Sequence, residues 1–267
     1  MKFIAKLILV IIFIPSFLLF ILSLNFRLQF LSATFWQSNF NTNNIYSKLS
    51  LSISKDLESQ TIAGGGRASD VEPLTDLVTP ENIKDVVGKN IVNILNYANG
   101  KSTDFFVYIP VSKIPKPLLS KNFAGLKEQT KLSDLVKEYN VEGISLTQIQ
   151  AISRFGVIAW MALAITLLFL TLLFYCIYLL VVPGKQLVAP GLAFILSGIM
   201  IYLFSSIGNA VQMSLANDLS SSQSLGDSII KIVTPSIIRG FLSVWTLSAI
   251  LATVLGVILL FFKKPIK

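Results

Sequence analysis

Four apolar stretches, at 7–24, 155–182, 187–204 and 241–262, contain no acidic or basic side chain. A hydrocarbon core about 30 Å thick takes roughly 20 helical residues at about 1.5 Å each, so every stretch is long enough, or nearly so, to cross it. Within that core a backbone meets no water and must satisfy its own hydrogen bonds, which makes these stretches helices. The sequence therefore predicts a mainly α, multi-pass membrane protein with four transmembrane helices. A small α-rich (α+β) extracytoplasmic domain is expected between helices 1 and 2. The expected division is an anchor helix at 1–24, a soluble domain at 25–153, and a three-helix membrane region at 154–267 with an outer loop at 205–236.

The charge pattern narrows the partners. Only 13% of residues are charged, against roughly 25% in an average soluble domain. The net charge of +8 is uneven: residues 25–153 hold thirteen basic and twelve acidic side chains, whereas the rest of the chain holds nine and two. A nucleic-acid binder carries its basic excess on a soluble face. Here the excess flanks the spans, where it sets orientation and meets anionic headgroups. The lipid bilayer is the expected partner and nucleic acid is not.

Residue usage excludes whole classes of chemistry. The single cysteine, Cys176, lies in the second stretch, so no intramolecular disulfide forms. Without histidine, Ser–His–Asp and Cys–His catalysis are ruled out, and a structural zinc site is not expected. No Asn-x-Ser/Thr sequon occurs, an absence in keeping with a bacterial membrane.

Orientation follows from lysines. The first stretch has a short basic flank, Lys2 and Lys6, and lacks an Ala-x-Ala cleavage site after its apolar run. An uncleaved anchor is expected, since secretory signals carry shorter apolar cores of about 7–15 residues. With that end cytoplasmic, Lys185, Lys263, Lys264 and Lys267 fall on the same side. Trp160 and Trp245 then lie near the outer ends of their helices, at headgroup level, with Tyr175 and Tyr178 near an inner end. The expectation is a plasma (cell) membrane protein with both termini cytoplasmic and residues 25–153 outside. Pro15 is expected to kink the first helix and Pro190 to initiate the third. Thr147 is the expected N-cap of one continuous helix over 147–182.

Within the insertion, Thr34 is a candidate cap for a short helix carrying Phe35, Trp36 and Phe40. Ile45, Tyr46, Leu49, Ile53 and Leu57 recur at helical spacing, although Leu49, Leu51 and Ile53 also alternate like a strand; helix is preferred. A loop over 61–69 follows. Thr79-Pro80-Glu81 is a helix start, with Ile83, Val87, Ile91 and Leu95 on one face and Gly100 as the stop. The run 104–110 is the strand candidate, and 132–139 a short helix.

No catalytic, cofactor-binding or metal-ligating residue emerges. Gly64-Gly65-Gly66 lacks the Lys-Ser/Thr of a phosphate loop. The carboxylate pairs Asp70/Glu72, Glu81/Asp85 and Asp134/Glu138 suit solvated helix faces better than a cleft with separated pKa values. No span holds a charge of the kind transport pathways use. Small residues recur at four-residue spacing, Ala189, Ala193 and Ser197 in the third span and Ser248, Ala252 and Gly256 in the fourth. Such stripes permit close packing within the bundle or a homo-oligomer. Ile229, Ile230, Ile232 and Val233 beside Lys231 suggest a short amphipathic piece of the outer loop, lying at the interface or under the soluble domain. The layout resembles that of claudin-like tetraspan proteins, but the Trp-Gly-Leu-Trp motif and cysteine pair of that loop are missing, and no family is assigned. The expected function is a non-enzymatic binding, scaffolding or sensing module that engages an envelope protein; the alternative is a subunit of a membrane transporter or channel.

Overall fold

The computed structural model describes residues 2–67, 71, 75, 77–114, 126–139, 145–181, 186–218 and 225–261. Helix α1 (Lys2–Asn25) continues into a π turn (Phe26–Phe30), then come α2 (Ala33–Thr42), α3 (Ile45–Ala63) and α4 (Pro80–Ala98). Strand β1 (Phe106–Tyr108), a 3-10 turn (Val111–Lys113), β2 (Gln129–Lys131), α5 (Leu132–Tyr139) and α6 (Leu146–Ile152) follow. The chain ends with α7 (Phe155–Leu179), α8 (Val188–Asp218) and α9 (Leu225–Phe261). Four helical spans, Phe3–Phe30, Thr147–Leu179, Val188–Val211 and Leu225–Phe261, are long and apolar enough to cross a membrane. That is the layout of a multi-pass, mainly α membrane protein.

The chain divides into two compact units. One comprises Met1–Phe30, Ile158–Leu215 and Ile238–Lys267, the other Leu31–Val157 and Ala216–Ile237. In the first, the core is built from Phe13 and Phe17 of α1, Leu173 and Ile177 of α7, Ala193 and Ile201 of α8, and Ala249 and Ala252 of α9. Phe13 and Phe17 meet Phe194 edge-on at 5.2 and 5.3 Å, a geometry that adds about 0.5–1.5 kcal/mol per pair to area burial. Outside this core the unit is apolar too. Ile165, Leu168 and Leu251 are 66%, 73% and 60% exposed. Water penalises so much continuous apolar surface, and hydrocarbon does not.

Helices α8 and α9 approach at backbone distance. A Cβ on Gly256 would lie 2.6 Å from the Gly191 carbonyl oxygen, one on Gly191 2.8 Å from that of Gly256, and one on Gly198 2.7 Å from that of Ala249. Only glycine fits such a seam, which gains dispersion and Cα–H···O contacts where no hydrophobic effect acts between helices. The expected stripe Ala189, Ala193, Ser197 is buried within the chain. On α9 the close face runs through Ala249, Thr253 and Gly256 rather than Ser248.

The second unit packs α2, α3 and α4 around Phe40, Ile45, Tyr46 and Leu49, with Ile83, Val87 and Ile91 against them. Ile229, Ile232, Val233 and Ile237 of α9 complete this core, and Asn39 on α2 exchanges hydrogen bonds with Ser236. Asn44, at φ 53, breaks α2 from α3; asparagine tolerates that left-handed backbone better than most residues. The two strands pair antiparallel in the register Phe106↔Lys131, Val107↔Thr130, Tyr108↔Gln129.

Several expectations change. Ser32, not Thr34, caps α2. Helix α3 runs on to Ala63, shortening the expected loop. The helix before the second span is capped by Ser145 in a reciprocal box with Gln148, not by Thr147. It is not continuous over 147–182: Ser153 and Arg154 form a turn between α6 and α7, and α7 ends at Leu179. Arg154 bonds Ala151, three residues back, which tightens the α6 end. Residues 205–236 are helical to Asp218 and again from Leu225, because no proline stands between Ser205 and Asp218 and the isoleucines of α9 have a core to bury against. Pro190 sits in the first turn of α8 as expected. The expectation for Lys185 falls outside the described residues, as do those for Lys263, Lys264 and Lys267.

Two substitutions test this packing. Gly256→Leu forces a side chain into the α8–α9 seam and is expected to destabilise the detergent-solubilised chain by about 1–3 kcal/mol; exposed Leu251→Ala serves as the neutral control in thermal unfolding. Leu95, 7% exposed, is expected to cost about 2–5 kcal/mol as Leu95→Ala, read by limited proteolysis of the full chain in detergent.

Candidate functional site

The densest polar arrangement lies where α4 meets β1. Thr79 Oγ1 accepts from the Asn82 amide at 3.2 Å, Pro80 fills the first helical position and Glu81 the first turn, which is why α4 starts where it does. Gly100, at φ 70, lets the chain turn back after the helix. Asn90 then holds the strand: its Oδ1 accepts from Tyr108 N at 2.8 Å and its Nδ2 donates to Tyr108 O at 2.9 Å. A side-chain amide thus replaces a neighbouring strand for one residue.

Around this clamp stand Asp85, Lys89, Tyr108 and Lys113. The Lys89 ammonium lies 2.9 Å from Asp85 and 3.9 Å above the Tyr108 ring centroid. The Tyr108 hydroxyl donates to Asp85 at 3.3 Å. Lys113 reaches Asp85 at 3.8 Å and donates to Asn82 at 2.9 Å. The Lys89 hydrogen bond holds the Asp85 carboxyl below its ordinary range, and the same bond raises the Lys89 ammonium. One group stays ionised and the other stays protonated near neutral pH. The arrangement can hold geometry and present mixed charge to a partner.

The sequence candidates are dispersed. Glu81 is exposed in the first turn of α4, while Asp85 joins the lysines. Asp134 and Glu138 are exposed on α5, where Asp134 accepts from Ser133 at 3.2 Å. Asp70 and Glu72 lie outside the described residues. The amides of Gly64, Gly65 and Gly66 donate to Gln60, Ile62 and Thr61 respectively, so they close α3 and leave no phosphate cradle. Among the described residues no three His, Cys, Asp or Glu side chains cluster to hold a metal. Asn90, Lys89, Tyr108 and Lys113 were not singled out from sequence. The available signal was Asn90, a poor helix former in the middle of an amphipathic helix.

The membrane unit carries polar groups of a different kind. Ser205 Oγ and Thr246 Oγ1 lie 2.9 Å apart across α8 and α9. Arg27 sits 4.8 Å from the Trp160 ring centroid, and Trp160 is 55% exposed. Around the start of the π turn, Asn25 and Gln29 are buried, and among the described residues Asn25 Nδ2 and Gln29 Oε1 have no partner. The same holds of Ser197 Oγ. In the other unit the Tyr46 hydroxyl is buried with no partner among the described residues, and burial pushes its pKa up.

The ion pair makes a pH prediction. Asp85 stabilises the fold above the unfolded carboxylate pKa of about 3.9, and that contribution is lost as pH falls through the lower folded value. Lys89 contributes below about pH 10.4 and loses its share as pH rises through a higher folded value. Asp85→Asn is therefore expected to lower the melting temperature near pH 7 and to match the wild type near pH 2, measured as a series of melts. A difference constant with pH would contradict the assignment.

No family model, curated protein or solved structure matches this chain, so its role is argued from its own residues.

Proposed function

We propose that this chain is a non-enzymatic, membrane-anchored binding or scaffolding module. Both termini are cytoplasmic, and the unit inserted after the first span faces outward, where it engages an envelope protein. What supports this reading most is the division of charge between the units. Residues 31–157 and 216–237 hold fourteen basic and all fourteen acidic side chains, whereas the membrane unit holds eight basic and no acidic ones. A neutral, mixed-charge body suits selective protein contact through complementary patches. Six of the membrane unit's eight, Lys2, Lys6, Lys185, Lys263, Lys264 and Lys267, belong to the ends assigned to the cytoplasm, where they suit its anionic leaflet, and Arg27 and Arg239 to the outer ends. The face built from Asp85, Lys89 and Lys113 offers both signs of charge on a rigid α4–β1 support.

The alternative, a subunit of a membrane transporter or channel, draws support from Asn25, Gln29 and Ser197, whose buried polar atoms lack partners among the described residues.

Thiol labelling of intact cells tests the orientation in a Cys176→Ala background. Lys101→Cys is expected to react with an impermeant reagent and Gln186→Cys only after permeabilisation; the reverse pattern overturns the topology. Purification in mild detergent separates the functions. A stoichiometric partner that is lost on Asp85→Lys supports the binding module, and a partner-free chain with a solute-dependent thermal shift supports the transport subunit.

A further inference from the structure

One end of the membrane unit opens into an apolar groove of about 470 Å³. Phe3 and Leu7 of α1, Leu180 just past α7, and Leu192 and Leu196 of α8 form its walls, and among the described residues Lys6 is the only polar side chain lining it. A buried water needs about two to four polar partners, so water does not fill this volume. Hydrocarbon does: Phe3, Leu7 and Leu192 are 71%, 49% and 47% exposed, so acyl chains of the bilayer have access from the side. The Lys6 ammonium lies 5.8 Å from the Phe3 ring centroid. A lysine stem snorkels along apolar surface while its head remains a compact point charge suited to phosphate. No acidic residue occurs anywhere in this unit, nor in the chain before Asp56, so nothing there competes for that charge. A second cavity, about 370 Å³ beside Phe13, Phe17, Phe174 and Phe194, is lined by no charged side chain among the described residues and has nothing to select a headgroup.

We propose that the Lys6 groove is a specific lipid site. It takes one acyl chain of an anionic phospholipid, whose headgroup phosphate pairs with the Lys6 ammonium. This goes beyond bilayer residence, because it assigns one site, one headgroup charge and one recognising residue.

The test uses the full chain, delipidated in mild detergent and titrated with phosphatidylglycerol or phosphatidylcholine of identical chains, with binding counted by native mass spectrometry. One phosphatidylglycerol per chain is expected to bind roughly fivefold tighter than phosphatidylcholine, the effect of one lysine at a membrane surface. Lys6→Gln is expected to abolish that preference while phosphatidylcholine still binds. Leu192→Trp, which fills the groove from its exposed edge, is expected to remove both, and Lys101→Gln neither. Equal binding of the two lipids by the wild type, or a preference that survives Lys6→Gln, overturns the proposal. Retention of phosphatidylglycerol by Leu192→Trp would equally overturn the groove as its location.

Discussion

Hydrocarbon offers a polypeptide backbone no hydrogen-bond partner, and the rest of this structure depends on how the chain meets that demand. Four long helical spans satisfy their amides internally. Prolines stand inside two of the helices, Pro15 in α1 and Pro235 in α9, and each leaves one carbonyl a turn earlier without its usual donor. Serine and threonine hydroxyls bond back to carbonyls within the same helices, Ser16 to Ile12 at 2.7 Å and Thr166 to Ala162 at 2.7 Å. Those two side chains are thereby tied to their own helix, whereas Ser205 reaches the Leu242 carbonyl and Thr246 across α8 and α9. The rest of the α8–α9 association is left to shape. The glycines of α8 and α9 supply it by removing side chains where the backbones meet.

The second unit lives by other rules. Its core is a small set of large apolar side chains on α2, α3 and α4, locked by aromatic edges such as Trp36–Phe40 at 5.9 Å and Phe40–Tyr46 at 5.8 Å. Polar groups do the fastening that a larger core would otherwise do. Asn90 clamps β1, Asn39 and Ser236 join α2 to α9, and Asp104 meets Lys131 at 3.0 Å beside the strand pair. Such bonds are worth about 0.5–1.5 kcal/mol each when neutral, and exposed ion pairs less. Their value here is positional, since they fix which side chains face outward together.

Features set by local chemistry were legible in the sequence. The Thr79-Pro80 start of α4, the strand within 104–110, the helix over 132–139 and the four spans each follow from capping, β-branching or hydropathy within a few residues. Features set by distant contacts were not. The isoleucines around Ile229 announce an amphipathic piece for the interface or the underside of the soluble domain, but not that it forms one helix with the last span, so 205–236 read as a loop. Ser145 and Thr147 are both competent caps, and the Gln148 side chain decides between them. The strand partner at 129–131 has no strong β propensity and forms because Thr130 pairs with Val107. The clamp at Asn90 was invisible for the same reason: an asparagine on a helix says nothing of the strand eighteen residues away until the two are brought together.

Hydrogen–deuterium exchange of the intact chain in lipid nanodiscs, resolved by peptide, tests the central claim that two units face two different solvents. Continuous membrane-embedded helices predict amides over 7–24, 158–179, 191–211 and 241–261 that stay protected for hours. The amides of Ser102 and Thr103, in the turn after α4, exchange within seconds, and α2, α3 and α4 fall between. Rapid exchange within any one of the four spans, or protection of Ser102 and Thr103 equal to theirs, would contradict it.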